Sequence, residues 1–597
     1  MTSEPKYVFR INSLSFSCGA EIAPRRINIF IGPNNSGKSK VLKEIRYEIL
    51  GHWNPHGLSN LSSVVLSKLQ LNLPNSIQEF ESSYEPLEKL VSKTINGWRV
   101  RAYCNTGLQV DPNGNINYYN NQPTFHASNV GELRNSLDNS LKESNDLFLQ
   151  IVGPEFISYS GTDDRLLLSI GEPARGLEDD SYNTLSSALD VDPYLYSISD
   201  RLKELFNKDV ILDVTSNRQI IVPRVSKDFS GYRDSITGTK APDNSILFDS
   251  TPLSDEGDGL RSFVAVLISL LGNKKPVYLL DEPESFLHPP FAFEMGKEIA
   301  SLALKAHRNE CQLFISSHSS YLIRGILSEM RKSNSTEELQ IIRLAREDDT
   351  THVYQVDANE LNRIVSTTGF TPAYVDALFS DNPVLTEAPR DAELFTQIIT
   401  KLKPVKDVLF IPVNGKQNFS RKLPFYSNAG IRPRLVADFD LLKNTEMFAR
   451  IIKDFDIPAN LADRVIKAAE KLHNAVSEEA NRLYPPLEDS DKRTPEAKNH
   501  IDRLYKQPTD DSINQYGDNL FHQLDELITN LIPFGILIIR TGTLETIFPN
   551  MPPTKNVEHS NDWYYSAIDY IVETETNALM SIQFIKDLLA LLEGQAV

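Results

Sequence analysis

The stretch that decides the fold is Gly32-Pro33-Asn34-Asn35-Ser36-Gly37-Lys38-Ser39. It follows a mostly apolar run, residues 27–31, and precedes a helix-favouring segment, residues 41–50. A buried strand, a turn rich in free N–H groups and a helix N-terminus are the setting that the G-x-x-x-x-G-K-[ST] pattern needs to hold phosphates. In that pattern Lys38 reaches the β- and γ-phosphates and the Ser39 hydroxyl binds Mg²⁺. The sequence therefore predicts a nucleoside triphosphate site built from the loop residues other than its proline.

Length and composition are those of a multidomain globular protein. The 597 residues exceed what one core holds and predict two to four domains. Three scattered cysteines argue against a disulfide framework or a zinc site. No apolar stretch reaches the roughly 20 residues of a membrane span, and the polar N-terminus has no signal-peptide core. A cytoplasmic location without membrane partners is therefore expected.

The charge distribution limits how the chain could contact nucleic acid. A formal net charge of −19 argues against a broadly basic coat. Residues 408–437 nevertheless contain five basic residues and no acidic one, namely Lys416, Arg421, Lys422, Arg432 and Arg434. A solvated loop and a contact with a phosphate backbone are both compatible with this segment.

The hydrophobic pattern predicts two α/β domains. The first, residues 1–375, contains a polar insertion at about residues 51–150, rich in asparagine and serine. The second, residues 381–597, alternates short apolar strands with helices and contains a charged, helical insertion at about residues 443–531. We find no internal repeat and no sustained heptad pattern, which argues against a long coiled-coil arm.

Two carboxylates, Asp281 and Glu282, end an apolar strand at residues 277–280. A buried strand that ends on two acids is unfavourable unless the charges meet a metal ion or a polarised water. Downstream of a phosphate loop, Asp281 is expected to bind Mg²⁺. Glu282 is the expected base that orients water at the γ-phosphate.

Two further elements complete a pattern. His318 follows a strand at residues 312–316, and Ser254-Asp255-Glu256-Gly257 precedes a helix. The four elements follow one another along the chain as the phosphate loop, the segment 254–257, the acids Asp281 and Glu282, and His318. This order resembles that of the ATP-binding-cassette (ABC) ATPases. The resemblance implies that His318 senses the γ-phosphate and that Ser254 and Gly257 contact ATP from the opposite subunit. It therefore implies a homodimer of heads.

A second group of acids follows the strands of the C-terminal domain. Glu387 ends a short strand with Asp391 four residues on, and Asp438 and Asp440 end another strand. Alternation places Asp438 and Asp440 on the same side of their strand. Four acids brought together would repel one another strongly without a cation. Helix capping is an alternative role for Glu387 and Asp391.

This spacing resembles the Toprim domain, and an ABC-type head followed by a Toprim domain resembles the OLD (overcoming lysogenization defect) nucleases. That family includes the Gabija nuclease and retron-associated effectors of bacteria. The resemblance implies an α/β fold with an N-terminal ABC-type P-loop ATPase head and a C-terminal parallel-sheet Toprim domain. It implies metal ligands at Glu387, Asp391, Asp438, Asp440 and Glu545. A catalytic lysine is implied at Lys586, with Lys555 as the alternative.

The implied function is ATP-regulated cutting of DNA in anti-phage defence, with ATP and Mg²⁺ as cofactors and Mn²⁺ able to replace Mg²⁺ at the Toprim site. The retron resemblance implies a reverse transcriptase and its RNA–DNA product as partners, whereas a nuclease acting alone fits the sequence equally well. A different class of function is also open. In it, the chain is a regulatory ATPase whose C-terminal half binds a partner or nucleic acid without cutting.

Overall fold

The chain forms two compact units, Met1–Val365 and Ser366–Val597, in the computed structural model. The sequence pattern placed this change of domain slightly later, between residues 375 and 381. The structure describes residues 7–52, 65–84, 91–94, 97–100, 109–110, 115–117, 125–126, 130–173, 184–192, 195–215, 219–237, 245–272, 275–304, 311–347, 349–366, 372–402, 408–485, 493–551 and 561–594. In these ranges, no helix has the length and apolarity needed to cross a bilayer.

The first unit is built on a six-stranded sheet, and smaller sheets accompany it. Its strands are β1 (Arg10–Phe16), β2 (Glu21–Ile22), β3 (Ile27–Ile31), β4 (Leu66–Asn72), β5 (Val91–Thr94), β6 (Gly97–Val100), β7 (Gln109–Val110), β8 (Asn115–Asn117), β9 (Phe125–His126), β10 (Ile157–Ser160), β11 (Glu172–Pro173), β12 (Asp209–Asp213), β13 (Ile220–Ser226), β14 (Thr251–Pro252), β15 (Val277–Asp281), β16 (Gln312–Ser316), β17 (Leu339–Glu347) and β18 (Thr350–Val356).

The main sheet has the order β10-β15-β16-β3-β17-β18, and all its neighbours are parallel except the β17–β18 hairpin. Its central strands are apolar and buried along nearly their whole length. Such runs are typical of parallel strands covered on both faces. Three strands in the order β2-β1-β4 form a separate antiparallel sheet, and β11, β12, β13 and β14 form another.

Helices cover the main sheet and connect its strands. In the first unit they are α1 (Lys38–Ile49), α2 (Ile77–Ser83), α3 (Val130–Lys142), α4 (Asp146–Phe156), α5 (Thr162–Leu168), α6 (Thr184–Val191), α7 (Tyr196–Phe206), α8 (Ser230–Thr237), α9 (Ser245–Phe248), α10 (Asp258–Gly272), α11 (Pro289–Leu304), α12 (Ser320–Lys332) and α13 (Ala358–Ser366). Helices α11 and α12 approach closely at two glycines. A Cβ atom on Gly296 would lie 2.2 Å from the Leu322 carbonyl oxygen, and one on Gly325 would lie 2.0 Å from that of Phe293.

The second unit has one parallel sheet in the order β20-β19-β21-β22. Its strands are β19 (Pro383–Thr386), β20 (Leu409–Pro412), β21 (Arg434–Asp438) and β22 (Ile536–Ile539). Its helices are α14 (Ala373–Asp376), α15 (Pro389–Leu402), α16 (Phe419–Asn428), α17 (Thr445–Lys453), α18 (Ala459–Leu483), α19 (Pro495–Lys506), α20 (Asp510–Asn514), α21 (Leu520–Thr529), α22 (Asn561–Glu573), α23 (Thr576–Ser581) and α24 (Gln583–Glu593). Five of these, α17 to α21, lie in the chain between β21 and β22.

The core of the second unit forms between its sheet and helices α15, α22 and α24. Val436 and Leu537 come from the sheet, and Phe395, Trp563 and Leu588 come from the helices. All five side chains are buried. This packing fixes the strand ends from which the acidic residues emerge.

Candidate nucleotide and metal sites

Three loops meet at the carboxyl edge of the main sheet in the first unit. Strands β15, β16 and β3 are parallel neighbours, and the register pairs Asp281 with Ser316 and Ser316 with Phe30. The loops are also joined directly. The N–H of Ser317 donates to the Phe30 carbonyl at 3.0 Å, and that of Glu282 donates to the Ser316 carbonyl at 3.1 Å. The fold therefore brings the phosphate loop, the paired acids and the histidine loop to one edge.

Three residues of the phosphate loop have positive φ angles, which glycine and asparagine adopt most readily. Gly32 has φ +138°, and a Cβ atom there would lie 2.1 Å from the Leu344 carbonyl oxygen. Asn35 and Gly37 also have positive φ, at 63° and 101°. The Lys38 ammonium donates to two carbonyls of the loop, at 2.8 and 2.9 Å. The loop thus holds the lysine at the N-terminus of α1, where a phosphate would bind.

Asp281 is held by hydroxyl groups from two neighbouring strands. The Ser316 hydroxyl donates to its Oδ1 at 2.5 Å, and the Tyr159 hydroxyl donates to its Oδ2 at 3.3 Å. Ser39 is the second residue of α1, the helix that packs against β15. Both predicted Mg²⁺ ligands of the first unit therefore belong to elements in direct contact.

Glu282, Glu284 and His318 form a cluster beside the phosphate loop. Nδ1 of His318 lies 3.5 Å from a carboxylate oxygen of Glu282 and 3.5 Å from one of Glu284. The hydrogen bond between His318 and Glu282 lowers the pKa of the glutamate and raises that of the histidine. Burial raises the pKa of Glu284, whose Oε1 accepts from the Ser317 hydroxyl at 2.7 Å and the His318 N–H at 2.9 Å. Glu284 therefore fixes the backbone of the histidine loop.

Glu282 itself has an uncommon backbone. Its φ is +48°, in the left-handed region that residues with a side chain rarely adopt. Its N–H donates to both the carbonyl and the hydroxyl of Ser316. Such conformations cost of order 1–3 kcal/mol and persist where the surrounding structure enforces them. The strand β16 thus helps to fix the direction of the Glu282 side chain.

Arg165 joins the acids to α10. Its guanidinium donates to the carbonyls of Asp281 and Glu282, both at 2.9 Å, and to the Ser262 hydroxyl on α10 at 3.0 Å. The side chain is almost completely buried, and burial lowers its pKa. A forked, rigid donor can hold several acceptors at fixed angles. Arg165 is therefore a positioning residue for Glu282.

The predicted signature loop lies at the N-terminus of α10. Ser254 is half-buried in a 3₁₀ turn, Leu253–Asp255, and its hydroxyl donates to Asp255 at 3.3 Å. Gly257 is exposed, with no atom within 4 Å of where its Cβ would be. Both residues are open to contact from outside the unit, but neither contacts the phosphate loop in the described bonds. Their role in binding ATP remains a prediction.

Three carboxylates converge at the carboxyl edge of the second sheet. Glu387 follows β19, Asp438 ends β21, and Asp440 lies in the turn after β21. One oxygen from each of the three lies within 4.8 Å of the others. The Oδ1 atom of Asp440 is buried without a hydrogen-bond partner. The strands therefore assemble three of the predicted metal ligands into one group, which we call the carboxylate cluster.

Repulsion between the acids extends beyond the carboxylate cluster. Burial raises the pKa of Asp438 well above its usual range, and Asp391, Glu387, Asp440 and Glu545 raise it further, in that order. Burial and neighbouring acids likewise raise the pKa of Asp391 to about 6. All five predicted ligands therefore interact electrostatically, although Asp391 and Glu545 are not in the three-residue group.

Asp391 also has a structural role. Its Oδ2 accepts from the N–H of Ala388 at 2.9 Å, just before α15 begins. A carboxylate in the first turn that accepts from the residue preceding the helix satisfies a donor that would otherwise lack a partner. The alternative of helix capping, raised from the sequence, thus describes this contact of Asp391.

One lysine of the basic segment contacts the carboxylate cluster. Lys416 forms an ion pair with Oδ2 of Asp440, although the sequence placed the lysine of this site at Lys586. Lys586 is exposed on α24 and makes no ion pair in the described part of the chain. The alternative, Lys555, lies outside the described residues. The structure therefore brings Lys416 to the carboxylate cluster, and the role of Lys586 stays a prediction.

Two other basic residues of the segment 408–437 make contacts inside the second unit. Lys422 is buried with its ammonium 4.2 Å from the ring centre of Tyr374, and Arg434 donates to the Asn382 side chain at 2.9 Å. Arg421 and Arg432 are exposed. A contact with a phosphate backbone through the exposed arginines remains a prediction.

The sequence pattern did not assign Arg165 or Lys416 to these sites. Arg165 stands between acids and leucines in a short helix, where an arginine usually faces solvent. Lys416 had a clearer signal, because Asn414-Gly415 predicts a turn directly after an apolar strand. Since parallel strands of one sheet end at the same edge, that turn belongs beside Glu387 and Asp438.

One known protein family matches part of the first unit. Residues 142–324 match the family described as "AAA domain, putative AbiEii toxin, Type IV TA system". The matched segment includes the strands that carry Asp281, Glu282 and the His318 loop. No curated protein matches the chain in sequence.

Solved structures with similarity to the chain include heads of SMC proteins. An SMC head bound to the C-terminal winged-helix domain of ScpA is 14% identical, covers 59% of this chain and 99% of its own, and has a TM-score of 0.30. The SMC head domain from Thermotoga maritima is 13% identical, with 58% and 99% coverage and a TM-score of 0.25. An SMC head from Pyrococcus furiosus, with an extended coiled coil and the C-terminal domain of ScpA, is 13% identical, with 60% and 98% coverage and a TM-score of 0.31.

The geometry of the sheet edge and the family match lead to the same coarse conclusion. The first unit has the strand order, loop and paired acids of a nucleotide-binding P-loop domain, and the AAA-type match covers its second half. Residues 142–324 are therefore similar to an AAA-type domain, and the loop geometry of the first unit supports nucleotide binding.

Proposed function

We propose that the chain is a metal-dependent DNA endonuclease of the OLD type, whose Toprim site is regulated by ATP bound in the N-terminal head. The observation that supports it most directly is the carboxylate cluster. Oxygens of Glu387, Asp438 and Asp440 lie within 4.8 Å of one another, on the same chain as a phosphate loop. Open α/β sheets bind their ligands at the carboxyl ends of the parallel strands. The three acids lie at such strand ends.

The carboxylate cluster fits a hard divalent cation. Mg²⁺ and Mn²⁺ prefer carboxylate oxygens at about 2.0–2.2 Å, and their ligand oxygens lie roughly 3–4 Å apart. One oxygen from each of the three acids lies within 4.8 Å of the others, which is close to this spacing. The buried Oδ1 of Asp440 has no hydrogen-bond partner, and burial followed by the neighbouring acids raises the pKa of Asp438. A bound cation would relieve both. When bound, such an ion activates a water and stabilises the charge on the leaving oxygen of a phosphodiester.

The head supplies the regulatory part of the proposal. Lys38 and Ser39 hold the phosphates and Mg²⁺ with Asp281, while Glu282 orients the attacking water and His318 contacts the γ-phosphate. A second copy contributes Ser254 and Gly257, so that the nucleotide joins two heads in a homodimer. The OLD resemblance places this activity in anti-phage defence in the bacterial cytoplasm. A reverse transcriptase with its RNA–DNA product is the partner that a retron would add.

The test is cleavage of supercoiled plasmid by the purified full-length protein. Wild type, Asp438→Asn and the exposed control Asp518→Asn are purified identically and incubated with Mn²⁺ or Mg²⁺, with and without ATP. We expect wild type and Asp518→Asn to nick or linearise the plasmid. Asp438→Asn should lose at least a hundredfold in rate while still binding ATP.

Equal cleavage by Asp438→Asn would assign the activity to a contaminant and refute the proposed site. If no protein cleaves DNA under any of these conditions, but Glu282→Gln abolishes the function in cells and Asp438→Asn does not, the alternative holds. In that case the chain is a regulatory ATPase whose second unit binds without cutting. Co-purification of nucleic acid from cells expressing the native operon would identify a retron partner.

A further inference from the structure

Lys416 reaches the carboxylate cluster through a turn that is bonded to the cluster's own backbone. The N–H of Val413 donates to the Thr386 carbonyl at 2.8 Å, and that of Gly415 donates to the Glu387 carbonyl at 2.9 Å. Asn414 and Gly415 both have positive φ, at 57° and 107°. These are conformations that asparagine and glycine adopt most readily. The position of Lys416 is therefore set by the same strand end that positions Glu387.

The contact that Lys416 makes is with a predicted metal ligand. Its ammonium pairs with Oδ2 of Asp440, and both side chains are more than two-thirds buried, with 29% and 28% exposure. The other oxygen of the same carboxylate has no partner. The ammonium thus partly balances the charge of the cluster at one of its three carboxylates.

From this contact we infer that Lys416 is a resident counter-ion that the divalent metal displaces, and that the released ammonium then binds a phosphate of the DNA. The inference rests on the proposed function, because it needs a metal at the carboxylate cluster. An ammonium and a divalent cation on the same carboxylate repel each other, so a metal ion at Asp440 weakens the pair with Lys416. The four-carbon stem of a lysine is flexible, and its compact charge pairs well with a phosphate.

This inference predicts opposite effects of one substitution on metal binding and on cleavage. An opposite charge within about 4–6 Å of a carboxylate shifts the pKa of that carboxylate by about one unit or more. Removal of the ammonium in Lys416→Met should therefore tighten Mn²⁺ binding by about tenfold. The same variant should cleave plasmid at least tenfold more slowly at saturating Mn²⁺, because the phosphate contact is lost. A residue with only a structural role would weaken both.

The experiment is calorimetric titration of the nucleotide-free, full-length protein with Mn²⁺, followed by plasmid cleavage. Binding at the carboxylate cluster is the part of the signal that Asp438→Asn removes, since that variant keeps the nucleotide site. Lys467→Met is the matched control, because Lys467 is exposed on α18 and has no ion pair in the described residues. It should bind Mn²⁺ like wild type. Lys416→Gln replaces Lys416→Met if the methionine variant does not fold.

The outcomes separate this inference from the proposed function. If wild type shows no Mn²⁺ binding that Asp438→Asn removes, the metal site is refuted and the inference with it. If wild type binds but Lys416→Met binds with equal or weaker affinity, only the counter-ion role is overturned. Tighter binding with cleavage at the wild-type rate would overturn the phosphate contact. Tighter binding with slower cleavage supports both parts.

Discussion

The substitution Asp391→Asn tests whether the acids of the second unit destabilise it in the absence of metal. Asparagine has the same shape, and its side-chain oxygen can still accept from the Ala388 N–H. The change therefore removes a charge and keeps the bond to Ala388. We expect the metal-free variant to be more stable than wild type at neutral pH.

The expected gain in stability follows from the raised pKa of Asp391. Burial, followed by the neighbouring acids, raises the pKa of Asp391 from 3.8 to about 6. Between these values the unfolded chain has lost the proton that the folded protein keeps, so the stability of wild type falls as the pH rises. Above about pH 6 the loss is complete, at about 3 kcal/mol for a shift of roughly two pKa units. Below pH 3.8 both states are protonated and the loss disappears.

The assay is urea unfolding in EDTA, at pH 7.5 and pH 3.5. Trp563 is buried in the core of the second unit, and the other two tryptophans of the chain belong to the first. With Trp53 and Trp98 replaced by phenylalanine, its fluorescence reports the second unit. Asp518→Asn is the control, because it removes an equal charge from an exposed position. A variant no more stable than wild type at pH 7.5, or a gain of equal size at pH 3.5, would refute the reasoning.

Three further substitutions, with Gly231→Ala as a control for the third, test the first unit. Glu282→Gln should slow ATP hydrolysis at least a hundredfold and leave binding of a fluorescent ATP analogue unchanged; an equal loss of binding would contradict its role as a base. Arg165→Lys keeps the charge but not the forked donors, so phosphate-release kinetics should show a kcat about tenfold lower at nearly constant KM. A rise in KM alone would count against positioning. Gly325→Ala places a methyl group 2.0 Å from the Phe293 carbonyl oxygen and should lower the unfolding free energy by about 1–3 kcal/mol. In Gly231→Ala the nearest atom is 3.4 Å away, so urea unfolding should show less than about 0.5 kcal/mol of change.

The strand ends were the predictable part of both sites. An acid at the end of an apolar run is conspicuous in the sequence, because burial of such a run leaves the charge at the edge of a sheet. Asp281, Asp438 and Glu387 were found in this way, and the structure places each at a parallel strand end. Lys38 was equally clear, since its loop pattern is specific.

Contacts that depend on tertiary packing were not predictable. The bonds from Arg165 to Asp281 and Glu282 cross more than a hundred positions of the sequence. The residues around Arg165 in the sequence do not show whether its side chain is buried and donates several hydrogen bonds or is exposed on the helix surface. The choice of Lys586 followed the family resemblance, whereas the position of Lys416 depends on a turn bonded to a neighbouring strand. Spacing along the chain cannot show such a bond.

The connection between β21 and β22 has a consequence for how this protein can change. Two adjacent parallel strands need a crossover of only about a dozen residues. Here residues 439–535 make that connection and include five helices. Most of this length is not required to align the strands, which pair Asp438 with Ile539 directly. The second unit can therefore carry a long helical insertion without a change in the strand pairing that positions Asp438.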